Sequence, residues 1–161
     1  MRDNRELTEG LSRLRGSDTV ILGVGHILKG DDGVGPLVCE NLTGGVSAKV
    51  IDAGTVPENY VRPIIRAVPQ NLLVIDAIDF GETPGQVRLY RPDQISDFAF
   101  STHALSLHLF VDMLRQDIDV EVFLLGIQPG CMRLGEPVSP PVWESVQMVT
   151  GVLGDLFPLA V

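Results

Sequence analysis

Two adjacent aspartates, Asp31 and Asp32, lie in a glycine-rich turn directly after an apolar run; residues 20–35 read VILGVGHILKGDDGVG. Neighbouring carboxylates repel each other, which raises their pKa unless a cation, a shared proton or the backbone N–H groups of a helix start compensate the charge. Such a pair between a predicted strand and a predicted helix indicates a functional site.

The best candidates for metal ligands are Asp32, Asp76 and His103. Two carboxylates and one imidazole form a mixed oxygen and nitrogen set, which suits nickel, zinc or a similar divalent ion and leaves positions open for a substrate. A helix start lowers the pKa of His103 and favours the neutral imidazole that binds metal. Structural interpretations stay open: Asp76 could accept backbone N–H groups at its strand end, and His103 could be a capping or surface residue. His108 falls on another helix face and is interpreted as a solvated or packing residue.

A dinucleotide site is an alternative interpretation of the turn. Gly23 and Gly25 match the first two glycines of the GxGxxG fingerprint, and Asp52 lies about where a ribose-binding carboxylate falls. Leu28, however, occupies the third glycine position, where helix and strand must pack closely, and the two aspartates would repel a pyrophosphate. No nucleotide is therefore expected to bind.

A purely structural interpretation is that Asp31 or Asp32 caps the helix predicted to start near Gly33, a common use of aspartate. A single helix cap would account for only one of the two aspartates, which leaves the other available as a metal ligand. His26 lies in the same loop, within reach of the site, and is predicted to join the metal shell as an extra nitrogen ligand. The rival explanation is that His26 only shapes the turn.

The elements that position these residues alternate between strands and helices, which predicts a three-layer α/β fold: an open, twisted, mostly parallel five-stranded sheet with helices on both faces. Ligands bind at the carboxyl ends of such strands, where Asp32, Asp52, Asp76, Asp79 and His103 should converge. The N-terminal residues 1–18 are expected to form a short amphipathic helix through Leu7, Leu11 and Leu14. The predicted strands are residues 19–24, 48–52, 71–77, 86–90 (antiparallel, at an edge) and 120–126, and the predicted helices are residues 33–42, 58–68, about 101–116 and 140–156.

Composition favours a single soluble domain over residues 1–161, because 45% of the residues are hydrophobic and 20% are charged. The net charge of −9 argues against nucleic acid and anionic membranes as partners. Cys39 and Cys131 are isolated in sequence and no signal peptide is seen, which predicts a reducing cytoplasm and no thiolate zinc site. No GxSxG motif is present to supply a nucleophile.

Five separated blocks, in the same order, resemble the nickel-iron hydrogenase maturation endopeptidases, and the STH block is most similar to the type that processes formate-hydrogenlyase hydrogenases. The blocks, which lie within a core of residues 19–157, are LGVGHILKGDDGVG, IDAGTVPEN, LLVIDAIDFGETPG, STHALSLHLFVDML and LLGIQPG. The resemblance implies a phosphorylase/hydrolase-like fold and a cytoplasmic, monomeric endopeptidase. It would remove a C-terminal extension from the hydrogenase large-subunit precursor after nickel insertion.

The same resemblance assigns roles to individual residues. It implies that Asp32, Asp76 and His103 are the catalytic and metal-binding set and that the ion is the nickel of the substrate, with zinc or cadmium able to occupy the site. The loop DAGT, with Asp52, Gly54 and Thr55, corresponds to a substrate-recognition loop of the family. Two departures are evident: His26 stands where the family usually has Asn, and residues 1–18 are an extension. A nickel-dependent chaperone that cuts nothing remains the alternative from another functional class.

Overall fold

The structure, a computed structural model, describes residues 2–94 and 107–160. None of the helices within those ranges is long and apolar enough to cross a membrane. In chain order the elements are α1 (Arg2–Leu11), β1 (Thr19–Val24), α2 (Val34–Leu42), β2 (Lys49–Gly54), α3 (Val61–Ala67), β3 (Asn71–Ala77), β4 (Val87–Tyr90), α4 (Leu107–Arg115), β5 (Glu121–Ile127) and α5 (Pro140–Leu156).

The five strands form one sheet in the order β2-β1-β3-β5-β4. All neighbouring strands are parallel except β4, which pairs antiparallel with β5 at the edge. The predicted fold class and the predicted antiparallel edge strand are therefore confirmed. The carboxyl ends of β1 and β3 lie side by side in the centre of the sheet, so the loops that follow them meet at one edge.

Side chains alternate between the two faces of the sheet, as the pleat requires. Ile21 and Ile75 pack on one face in a core shared with α1, α2 and α5, whereas Val20 and Val74 pack on the other face with α3 and α4. The central strands read as continuous apolar runs because helices cover both of their faces.

The N-terminal segment is part of this core. Leu7, Leu11 and Leu14 are all buried, and α1 packs against β4 and α5. The predicted amphipathic helix is thus confirmed, and the extension covers the sheet face near the antiparallel edge.

Several predicted boundaries differ from the observed ones. The second strand continues to Gly54, two residues further than expected, and α2 is preceded by a short 3-10 turn, Gly30–Gly33. The predicted helix over residues 58–68 divides into a 3-10 turn, Pro57–Tyr60, and α3. Ser101, Thr102 and His103, which were expected to begin the fourth helix, lie outside the described residues.

Val68 ends α3 in the left-handed conformation, with φ 46° and ψ 53°, and its side chain is exposed. This conformation costs a β-branched residue about 1–2 kcal/mol. We expect Val68→Asn to raise the free energy of unfolding by about 0.5–1 kcal/mol, because asparagine tolerates that conformation at a helix end. Urea unfolding checks this, with Val68→Thr, which keeps the branched Cβ, as the control. Equal stability of the two variants would show that the backbone here carries no strain.

Candidate active site

Asp31 ties two distant loops together. Its carboxylate is fully buried and accepts four hydrogen bonds from the loop between β5 and α5: the N–H groups of Gly130 (2.7 Å), Cys131 (3.0 Å) and Ser139 (2.7 Å), and the Ser139 hydroxyl (2.7 Å). In return, the Asp31 N–H donates to the Cys131 carbonyl at 2.8 Å. The four donors compensate the buried charge, so Asp31 holds the turn against this loop.

The predicted helix cap is wrong. The residue at the N-cap position of α2 is Gly33, and no side chain caps that helix or the preceding 3-10 turn. Asp31 does not cap the helix because its buried carboxylate needs several hydrogen-bond donors at once. The loop between β5 and α5 supplies these donors, from residues about a hundred positions away in the sequence.

Asp32 is bonded to the loop that follows β1. Its side chain is fully buried, and Oδ2 accepts the His26 N–H at 3.0 Å, while its own N–H donates to the Lys29 carbonyl at 3.0 Å. The loop of residues 26–30 is therefore bonded both to the carboxylate and to the backbone N–H of Asp32. The two adjacent aspartates are thus directed to different partners.

Asp76 lies at the end of β3, and its side chain is 1% exposed. The 3-10 turn that carries Asp32 packs against β3. Both carboxylates consequently lie at the carboxyl ends of neighbouring strands, as predicted. Within residues 2–94 and 107–160, no group of three His, Cys, Asp or Glu residues is arranged to hold a metal ion. His103, the expected third ligand, lies outside those ranges, so its role as a ligand stays a prediction.

Two glycines let α2 approach the sheet closely at this point. A Cβ on Gly35 would overlap the carbonyl oxygens of Val24 and Ile75, and one on Gly23 would lie 2.5 Å from the Cys39 sulfur. In a dinucleotide site the third glycine allows close packing of helix and strand; here Gly23 and Gly35 allow it instead. The side chain of Leu28, which occupies the third glycine position, is exposed. Buried carboxylates fill the turn where a pyrophosphate would need N–H groups.

The imidazole of His26 stabilises its own loop, because its Nδ1 accepts the Leu28 N–H at 3.1 Å. This leaves Nε2 as the ring nitrogen that can bind a metal ion. The role of His26 as an extra ligand stays a prediction, now with a defined atom.

His26→Asn separates the two roles, since the Asn Oδ1 can replace Nδ1 as acceptor while Nε2 is removed. If His26 is a ligand, the affinity for nickel or zinc should fall about tenfold, or about 1.4 kcal/mol. Chelator competition at a pH where imidazole is neutral measures this, and His26→Ala, which loses both nitrogens, is the companion variant. Equal affinities in the wild type and His26→Asn would contradict the ligand role.

The DAGT loop lies beside the glycine-rich turn. The Gly54 carbonyl accepts the Gly25 N–H at 2.9 Å, and Asp52 Oδ1 accepts the Gly54 N–H at 2.9 Å. Asp52 is exposed, and Thr55, the other predicted substrate-binding residue, is half-buried. The structure thus brings this loop to the same edge of the sheet, while its role in substrate binding stays a prediction.

Asp79 and Gln128 shape the loop after β3. Asp79 is exposed; its Oδ1 accepts Gln128 Nε2–H at 3.1 Å and the Gly81 N–H at 3.0 Å, and these two bonds hold the pKa of its carboxyl below the usual value. Gln128 Oε1 accepts the Phe80 N–H at 2.8 Å. Sequence reasoning missed Gln128, although a polar residue directly after a continuous apolar strand was a visible signal.

His108, Cys39 and Cys131 also carry side chains that could take part in chemistry. His108 is half-buried on α4. Burial, with the nearby charge of Asp52, raises the pKa of the Cys39 thiol to about 12, so it stays protonated. Arg133 Nε–H donates to the Cys131 sulfur at 3.4 Å; hydrogen bonds from Arg133 lower the pKa of this thiol.

Known proteins are similar to this chain both in fold and in sequence. A family model described as hydrogenase maturation protease (HycI) matches residues 38–153. The hydrogenase 3 maturation protease of Escherichia coli (strain K12) is 39% identical over 133 residues, which are 81% of this chain and 85% of that protein. A putative hydrogenase maturation protease of Methanocaldococcus jannaschii is 35% identical over 120 residues, covering 68% of this chain and 71% of that protein.

The crystal structure of the [NiFe] hydrogenase maturation protease HycI from Thermococcus kodakarensis KOD1 matches with a TM-score of 0.81 and 30% identity, covering 94% of this chain and 97% of that one. These relatives are named proteases and endopeptidases, and the chain is accordingly a hydrolase of the endopeptidase class. The chain belongs to the hydrogenase maturation protease family.

Proposed function

We propose that this protein removes the C-terminal extension from the nickel-loaded precursor of a hydrogenase large subunit, with the nickel of the substrate bound by Asp32, Asp76 and His103. The observation that carries the proposal is the placement of two buried carboxylates, Asp32 and Asp76, at the ends of neighbouring strands. Asp31 supports it by fixing the turn that carries Asp32.

The donor chemistry suits this role. Carboxylate oxygens with one imidazole nitrogen bind borderline divalent ions, and zinc or cadmium would fit the same set. Hydrolysis of an amide requires a polarised carbonyl and an activated water, both of which a divalent ion with an open position supplies. Binding the ion that the substrate carries would also restrict cleavage to precursors already loaded with metal.

The proposed setting is the cytoplasm, with the protein acting as a monomer on a protein substrate. The net charge of −9 supports the absence of nucleic acid and anionic membrane among its partners, because both would repel it.

The deciding experiment incubates the wild-type protein with the large-subunit precursor, prepared with and without nickel, and weighs the products by mass spectrometry. The expected result is loss of the C-terminal extension from the nickel-loaded precursor alone. Cleavage of both forms at one rate would contradict the dependence on nickel. Stable binding of the loaded precursor with no change in mass would instead favour the chaperone alternative.

A further inference from the structure

Four exposed apolar side chains surround the turn that carries the paired aspartates. Ile27 and Leu28 follow β1 and are 54% and 63% exposed, and Met132 and Leu134 follow β5 and are 39% and 69% exposed. We call these four residues the rim patch. Large apolar side chains clustered at one place on a surface typically mark a protein interaction site.

The rim patch is held in shape by hydrogen bonds between its two loops. The Leu28 carbonyl accepts the Gly135 N–H at 2.8 Å, and the Cys131 carbonyl accepts the Asp31 N–H at 2.8 Å. Gly30 lies so close to the Cys131 carbonyl that a Cβ there would overlap it. The patch is therefore pre-organised, which lowers the entropy lost when a partner covers it.

We propose that the rim patch docks the folded body of the large-subunit precursor beside its cleavage point, an inference that rests on the proposed function. The loop that carries Ile27 and Leu28 is the loop that encloses Asp32, through the bonds of His26 and Lys29 to that residue. A polypeptide that reaches Asp32 must therefore pass next to these side chains. The rim patch is thus continuous with the edge of the sheet where Asp32 and Asp76 lie.

A second copy of this chain is the weaker occupant. A self-associated pair would cover the edge where a substrate must enter, and two chains of charge −9 repel each other. The C-terminal extension alone is also a weaker occupant, because a patch that extends across two loops matches a surface better than it matches one strand of peptide.

The test removes two apolar side chains in the double variant Leu28→Ser, Leu134→Ser. The matched control is Val68→Thr, Leu159→Ser, because those side chains are 63% and 53% exposed and follow the C-terminal ends of α3 and α5, at the opposite edge of the sheet. Threonine keeps the branched Cβ of Val68, so the backbone strain at this position is unchanged. We expect KM for the nickel-loaded precursor to rise at least about tenfold in the rim variant, with kcat little changed and the control equal to wild type. Thermal unfolding should be equal in all three proteins.

Direct binding separates failure of this inference from failure of the proposed function. Each pair of substitutions is also combined with Asp76→Asn, and the affinity for the precursor and for a synthetic extension peptide is measured. Weaker binding of the precursor, but not of the peptide, in the rim variant supports docking of the body even if no cleavage is seen. Equal precursor affinity in the rim and control variants overturns the inference. So does a wild-type dimer in sedimentation that the rim variant dissociates.

Discussion

Asp32→Asn, Asp76→Asn and His103→Ala are each expected to abolish cleavage of the precursor while leaving the protein folded. Each substitution removes one donor from the set proposed to bind the nickel of the substrate, so the ion is no longer positioned at the bond to be cleaved. Asparagine can keep the hydrogen bond from the His26 N–H to Asp32, so the loop should keep its shape.

Stability and activity should separate in these variants. Replacing a buried carboxylate by its amide removes a charge from the interior, so thermal stability should stay the same or rise, as is common where function and stability oppose each other. Mass spectrometry of the precursor and thermal unfolding measure the two properties. Wild-type cleavage by the double variant Asp76→Asn, His103→Ala would refute the assignment of the site.

Asp31→Asn, the same change at the neighbouring residue, is expected to lower the stability of the whole protein, whereas Asp32→Asn is expected to leave it unchanged or raise it. The Asp31 carboxylate faces donors on both of its oxygens, so either orientation of the amide points an NH2 group at a buried donor. Leaving buried donors unpaired beside a lost charge should lower the free energy of unfolding by about 3 kcal/mol or more. For a chain of this length, the midpoint of thermal unfolding should fall by about 10 °C.

Asp32→Asn is the matched control for this prediction, because it makes the same chemical change one residue along the chain. Calorimetry of both variants under identical conditions gives the comparison. The interpretation of Asp31 as a structural anchor fails if its variant unfolds at the wild-type temperature, or if both variants lose the same stability.

The sheet could be predicted from sequence because its signals are local. Apolar runs such as those of β1 and β3 identify strands that helices cover on both faces, and Pro140 marks the start of α5. The convergence of Asp32 and Asp76 followed from topology, since parallel strands end at one edge.

The roles of the individual aspartates could not be predicted in the same way. Asp31 is satisfied by donors 99 to 108 positions away, and no local pattern encodes such a contact. The local rule, that aspartate near a helix start caps it, was overridden by this tertiary contact. The close approach of Gly35 to β1 and β3 is likewise a property of packing, which a fingerprint of glycine spacing does not capture.

The anchoring of Cys131 and Ser139 to one carboxylate has a consequence for how such a protein can change its substrate. The segment between them, residues 132–138, begins and ends at fixed points and is bonded in between through the Gly135 N–H to the Leu28 carbonyl. Exchanging it for a segment that keeps this glycine therefore costs only a small closure entropy. Under the proposed docking of the precursor on the rim patch, substrate preference would diverge by replacement of this segment while the turn with Asp32 keeps its geometry. A transplant of this segment between two homologues should transfer the preference for one hydrogenase over another, leaving the chemistry of cleavage with the recipient.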